Sequence, residues 1–211
     1  CNAQVKVIMI SLLLPVIYAA FISLGLPDSL LGSAWPVIRM ELGVPLSYAG
    51  IVSMIISGGT ILSSLLSDRM KRKTSTGFVT AVSVFMTASA LFGFSTAPSF
   101  FVICLWAVPY GLGAGAVDAA LNNYVALHFK ARHMSWLHCF WGIGVSVSPY
   151  IMGFFLTRPS GWHGGYRVVS YIQLTLSAVL FAALPLWKSV SEKTVSDQEQ
   201  AVISNGKKTV K

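Results

Sequence analysis

Long apolar runs separated by short polar breaks constrain the fold of this chain more than any other feature. The runs cover roughly residues 7–36, 46–66, 77–96, 99–128, 135–156 and 167–187, and a helix needs about 20 residues to cross the hydrocarbon. Hydrophobic residues make up 55% of the chain and charged residues 10%, whereas an average soluble domain is about 25% charged. Backbone groups in lipid must be hydrogen-bonded internally, which favours helices over barrel strands for runs of this length. The sequence therefore predicts an all-α, multi-pass membrane protein with six transmembrane helices.

Basic residues indicate the orientation of these spans. The break between the second and third runs reads SDRMKRKTST, the break between the fourth and fifth contains Lys130 and Arg132, and several lysines follow the last run. Lys and Arg are retained on the cytoplasmic side, so both termini are predicted to be cytoplasmic in a plasma membrane protein. The net charge of +8 then fits topology and anionic lipid, and we expect no nucleic-acid partner.

The composition changes abruptly after Trp187. Residues 1–190 are predicted to form one six-helix transmembrane bundle, and residues 191–211 a polar cytoplasmic linker or tail, rich in charged and polar side chains. Six helices followed by such a linker are typical of one half of a larger protein. We expect the natural chain to continue past Lys211.

The fourth run carries polar groups in the stretch GLGAGAVDAALNNY, residues 111–124. A carboxylate near mid-membrane costs at least ~2.5–3.5 kcal/mol, so Asp118 is expected to face a protein interior or a watery cavity. On a helix, Asp118 shares a face with Gly111, Gly115 and Asn122, and such small residues allow another helix to approach closely. Asp118 is either a titratable proton carrier or a group whose hydrogen bonds lock the helix packing.

The first run is interrupted in a similar way, by GLPDSLLG at residues 25–32. Asp28 follows Pro27, which removes a backbone donor and loosens the helix. Asp28 and Asp118 lie at similar fractional positions in the first and fourth spans, which predicts an inverted repeat of three plus three helices with the binding site at the interruptions. Trp35, two turns further on, is either an interfacial belt residue or a stacking surface for a ligand.

The fifth and sixth runs add further candidates. His138 and Trp141 lie in SWLHCFWGIGVSVSPYIMG, where His138 is either a neutral core histidine or part of a proton relay. Asn122, Asn123 and Gln173 can hydrogen-bond a polyol. No metal or cofactor is expected.

Taken together, these residues resemble the N-terminal half of a major facilitator superfamily transporter of the fucose permease-like group. The superfamily's G-x-x-x-D-R-x-G-R-[RK] motif is matched in SLLSDRMKRK, although Ser64 and Lys71 replace the usual glycines. The resemblance implies that the matching charged residues gate the cytoplasmic side: Asp68, Arg69, Arg72 and Lys73. It also implies proton coupling and sugar recognition for the acids at Asp118, with its partner Asn122, and at Asp28.

The leading hypothesis is a transporter, not an enzyme, that takes up a sugar or similar small polar solute with a proton by alternating access. Asp118 would carry the proton, while Asp28, Asn122, Asn123, Trp35, His138, Trp141 and Gln173 would form the substrate site. Its partners would be the solute, a proton, lipid, and a missing C-terminal half or a second copy. The alternatives are a non-transporting or homodimerising six-helix subunit and, more remotely, an intramembrane aspartyl protease with Asp28 and Asp118 as its dyad.

Overall fold

The computed structural model describes residues 2–187, and the side chains of residues 13–67 and 74–187. In this part of the chain the secondary structure is entirely helical. The helices are α1 (Asn2–Asp28), α2 (Leu30–Glu41), α3 (Tyr48–Lys73), α4 (Thr76–Ser95), α5 (Phe100–His128), α6 (Ala131–Leu156) and α7 (Gly161–Ala182).

Six stretches of these helices are long and apolar enough to cross a membrane. The first span joins α1 and α2 into one stretch of 29 residues, Leu13–Glu41, and the other five correspond to α3 through α7. This confirms the predicted six-span, all-helical architecture. The predicted boundary at residue 190 and the polar segment 191–211 lie outside the described residues.

The sixth span begins earlier than the sequence predicted, at Gly161 and not at residue 167. Gly161 has a φ of +50°, a conformation that suits the turn before the helix. Gly164 lies inside α7, where a Cβ would meet the side chains of Ser160 and Phe155. This glycine therefore permits close contact between α6 and α7.

The bundle is organised around α4, the most buried of the spans. It packs extensively against α5 and α7, while α3 packs on α5 and α1 packs on α6. Apolar side chains form two clusters, one around Trp35, Phe94 and Trp162 and the other around Phe21 and Trp187. The most exposed spans are α3 and α6, so these two helices form an open face of the bundle.

Glycines set the close helix crossings beside that face. A Cβ at Gly115 of α5 would overlap the Thr60 carbonyl oxygen of α3, and a Cβ at Gly144 of α6 would overlap the Ile22 carbonyl oxygen of α1. Gly111 and Gly25 make the same kind of contact, with Ile56 and Trp141 respectively. The two crossings, α3 with α5 and α1 with α6, thus bring backbone directly against backbone.

Prolines in the spans free carbonyl groups that neighbouring helices then bind. Proline lacks an N–H and leaves the carbonyl four residues earlier without its helical donor. Pro27 frees the Ser23 carbonyl, which accepts a hydrogen bond of 2.6 Å from Nε2 of Gln173. Pro149 frees the Val145 carbonyl, which accepts one of 2.6 Å from the Ser29 hydroxyl. These two freed carbonyls are therefore hydrogen-bonded inside the protein, as a membrane span requires.

Candidate functional site

A cavity of about 340 Å³ opens between the first, second, fourth and fifth spans. Asp28 and Asp118, which the sequence placed in two separate interruptions, both line it. The remaining lining residues are Phe21, Leu24, Ile56, Thr60, Tyr110, Ala114, His138 and Trp141. Both carboxylates are exposed to this open space, as expected for acids that would otherwise face lipid.

Asp28 lies at the last position of α1, where the first span breaks before α2. Its Oδ2 atom accepts a hydrogen bond of 2.9 Å from Nε1 of Trp141, and its Oδ1 atom accepts a longer one of 3.4 Å from the Tyr110 hydroxyl. Trp141 is on α6 and Tyr110 on α5, so three helices fix this carboxylate. Asp28 is consequently an ordered hydrogen-bond acceptor at the cavity wall.

Asp118 has a different hydrogen-bonding environment. Its Oδ1 atom accepts a hydrogen bond of 2.9 Å from Nδ2 of Asn122, one turn further along α5. The Oδ1 atom of Asn122 is buried and has no hydrogen-bond partner. Asn122 therefore contacts the cavity through Asp118 and does not line it, and Asp118 presents the less constrained carboxylate.

His138 and the aromatic rings complete the wall. His138 lines the cavity and packs edge-on against Phe21, with ring centroids 6.2 Å apart. Trp141 is 40% exposed, whereas Tyr110 is buried with only 5% of its surface accessible. The cavity can thus offer carboxylate acceptors, an imidazole and flat apolar faces to a small solute.

Three predicted site residues lie elsewhere. Trp35 is buried, and its Nε1 donates to the Leu46 carbonyl at 2.9 Å, in the connection between α2 and α3. Gln173 is buried beside the carbonyl freed by Pro27 and accepts a 2.9 Å hydrogen bond from the Thr87 hydroxyl. Asn123 is exposed and does not line the cavity.

Tyr110 is the contact that the sequence analysis missed. It precedes Ala114 and Asp118 at intervals of four residues, so all three share one face of α5 and line the cavity together. The sequence contains this spacing, but Tyr110 lies one residue before the glycine-rich stretch 111–124.

The predicted cytoplasmic gate falls in the last turns of α3. Asp68, Arg69, Arg72 and Lys73 belong to this helix, but their side chains lie outside the described part of the structure. Among the described residues, no group of three His, Cys, Asp or Glu side chains is arranged to hold a metal ion.

Comparison with known proteins agrees with this architecture. A profile of the Major Facilitator Superfamily matches residues 17–208 of the chain. The chain belongs to the major facilitator superfamily. This superfamily consists of multi-pass membrane transporters, which agrees with the six membrane-length helices of the chain.

A curated relative of the chain is the niacin transporter NiaP of Acinetobacter baylyi. The two are 29% identical over 137 residues, which cover 64% of this chain. The match covers 30% of that transporter's length, so the matched part of the chain spans less than a third of it.

Proposed function

We propose that the chain is the N-terminal half of a proton-coupled transporter that takes up a sugar or similar small polar solute across the plasma membrane. The observation that carries this proposal is the common cavity of Asp28 and Asp118, between the first, second, fourth and fifth spans. Ionisable groups in membrane spans mark solute and ion pathways, and interrupted spans supply the binding sites of many transporters.

The hydrogen bonds favour different roles for the two acids. Both oxygens of Asp28 already accept hydrogen bonds, from Trp141 and Tyr110, which orients this side chain for recognition of solute hydroxyl groups. Among the described residues, Asp118 accepts its hydrogen bond from Asn122 on one oxygen. Its second oxygen can therefore take up a proton without breaking that contact, and we assign the coupling proton to Asp118.

We propose an inverted repeat of three plus three helices, which the helix crossings support, with both termini in the cytoplasm, which the positions of the basic residues support. Exchanging the first span with the fourth, and the second with the fifth, converts the α3–α5 crossing into the α6–α1 crossing. In each crossing, a glycine of the fourth or first span packs on a carbonyl oxygen of the partner helix, Gly115 on Thr60 and Gly25 on Trp141. The positions of Asp28 and Asp118 follow the same exchange.

The exposed face of α3 and α6 is where a second bundle would complete the transport path. Alternating access needs two bundles that rock against each other around a fixed site. We therefore propose that a C-terminal half, or a second copy, covers this face. The charged residues at the end of α3 would then gate the cytoplasmic side: Asp68, Arg69, Arg72 and Lys73.

A flat aromatic solute is the second candidate, because the rings of Phe21, Tyr110 and Trp141 line the cavity and the relative is a niacin transporter. Thermal unfolding of the purified full-length protein with sugars and with nicotinate, each at two pH values, separates the candidates. A bound solute raises the melting temperature by mass action, so only the solute class that binds will do so.

The transport mechanism is tested by Asp118→Asn in the full-length protein, reconstituted into vesicles with an imposed pH gradient. Uptake against a solute gradient should be lost, because the amide cannot carry the proton, while equilibrium exchange of solute persists. Thr175→Ala, at an exposed position of α7 outside the cavity, is the control and should accumulate solute normally. Wild-type accumulation by Asp118→Asn would remove Asp118 from the coupling mechanism.

A further inference from the structure

A second cluster of ionisable groups lies at the other end of the bundle from the α3–α4 connection. Here α2 ends at Glu41, α4 ends at Ser95 and α7 begins at Gly161. Glu41, Ser95 and His163 line a recess of about 500 Å³. The cluster is separate from the cavity that contains Asp28 and Asp118.

His163 faces hydrogen-bond acceptors with both of its ring nitrogens. Its Nδ1 atom lies 3.0 Å from the Ser95 carbonyl oxygen, and its Nε2 atom lies 3.2 Å from Oε1 of Glu41. A carbonyl oxygen only accepts, so Nδ1 must carry a hydrogen. In a neutral ring with Nδ1 protonated, Nε2 is itself an acceptor, and it would face a carboxylate oxygen with no hydrogen between them. The contact therefore requires one additional proton.

The surroundings place that proton on the imidazole. The second carboxylate oxygen of Glu41 accepts a hydrogen bond of 2.7 Å from Nε1 of Trp162, so both oxygens of Glu41 act as acceptors. The Trp162 ring also stacks on the His163 ring, with centroids 3.7 Å apart and planes inclined by 28°. An aromatic face stabilises a cation placed over it, and Trp162 is itself fully buried.

We propose that Glu41 and His163 form a proton-binding site that links the ends of the first, third and sixth spans. The ligand is a single proton, held on His163 between the Glu41 carboxylate and the Ser95 carbonyl. The other ionisable side chain lining the recess is Arg167 of α7, whose positive charge opposes that proton, whereas Glu41 of α2 favours it. The residues of α4 and of the loop after it that line the recess have no ionisable side chains.

Formation of the link between Glu41 and His163 depends on pH. The additional proton is bound while the link is made, so a lower pH favours the link and a higher pH disfavours it. The link also affects α2, which begins directly after Asp28 and Ser29 and ends at Glu41. The link holds the far end of this helix, and its loss frees the segment that follows the cavity carboxylate. In the orientation proposed above, the site faces the outside, but proton binding itself does not depend on the proposed transport activity.

The test compares the wild-type full-length protein with Glu41→Gln, in lipid nanodiscs, by thermal unfolding between about pH 6 and pH 8, where histidine titrates. In the variant, the amide group can donate to the neutral Nε2 atom, so the contact forms without an additional proton. We expect the wild-type melting temperature to fall more steeply with pH than that of the variant. Equal pH dependence of the two proteins would overturn the proposal.

A measurement on the histidine ring tests the same point without relying on stability. Nitrogen NMR of ¹⁵N-histidine-labelled wild-type protein should show both ring nitrogens of His163 protonated at about pH 6, because both of them face hydrogen-bond acceptors. The signal is assigned by its loss in His163→Phe, or by its shift in Glu41→Gln if the first variant does not fold. An unprotonated ring nitrogen at that pH would contradict a proton bound at this site.

Discussion

The Gly144→Ala substitution tests the close crossing of α1 and α6, which brings Trp141 to Asp28. The added methyl group would overlap the Ile22 carbonyl oxygen and lie 3.0 Å from the Leu26 backbone nitrogen and 3.1 Å from the Gly25 carbonyl carbon. These are backbone atoms of α1, which cannot rotate away as a side chain can. Overpacking costs typically about 1–3 kcal/mol, and alanine regains about 0.5–1 kcal/mol of helix stability over glycine. We therefore expect a net loss of roughly 1–2 kcal/mol in the free energy of unfolding.

Gly142 supplies a matched control two residues away in the same helix. A Cβ at this position meets no atom within 4 Å, so Gly142→Ala should leave stability unchanged or raise it by up to about 1 kcal/mol. Both variants are measured by reversible denaturation of the full-length protein in mixed micelles, with Gly153→Ala as a second open position. Equal stabilities of Gly144→Ala and Gly142→Ala would refute the close crossing.

Two further substitutions probe the site and its support. Trp141→Phe removes the hydrogen-bond donor that holds the Asp28 carboxylate, and a hydrogen bond to a charged group is worth about 1.5–3 kcal/mol. Solute affinity, measured by equilibrium binding, should therefore fall roughly tenfold or more. Unchanged affinity would show that the orientation of Asp28 does not determine solute binding. Gln173→Leu should cost about 1–3 kcal/mol of stability, because it leaves the Ser23 carbonyl unpaired. Adding Pro27→Ala restores a backbone donor to that carbonyl, so the double variant should recover part of the loss; strictly additive effects in thermal unfolding would argue against this pairing.

The spans and the two cavity acids were predictable because their causes are local. The length of an apolar run fixes whether a helix can cross the membrane, and an acid within such a run must face protein or water. Asp28 and Asp118 could therefore be singled out from the sequence, and so could the small residues that let α3 approach α5. His138 and Trp141 were also predicted as site residues, and both line the cavity.

The partners of buried polar groups were not predictable, because they depend on which helices meet. Gln173 looked like a solute ligand, yet its amide binds the Ser23 carbonyl that Pro27 frees, 150 residues away in sequence. Trp35 was predicted as an interfacial residue or a stacking surface, and in the structure its ring nitrogen donates a hydrogen bond to the Leu46 carbonyl.

The same reason explains why the link between Glu41 and His163 was missed. Their contact spans 122 residues, and no local pattern relates the end of the first span to the start of the sixth. Only the packing of α2 against α7 brings the carboxylate and the imidazole together.

The central claim is that the cavity lined by Asp28 and Asp118 binds the transported solute, and solute protection of a cysteine tests it most directly. Ala114→Cys places a thiol on the cavity wall between Tyr110 and Asp118, in an otherwise cysteine-free full-length background with Cys1, Cys104 and Cys139 replaced by serine. Thr157→Cys, exposed at the end of α6, is the control for a direct effect of the solute on the thiol reagent. The account predicts that saturating transported solute slows labelling by a water-soluble thiol reagent at position 114 and leaves the control unchanged. Labelling of Ala114→Cys at the same rate with and without solute would contradict it.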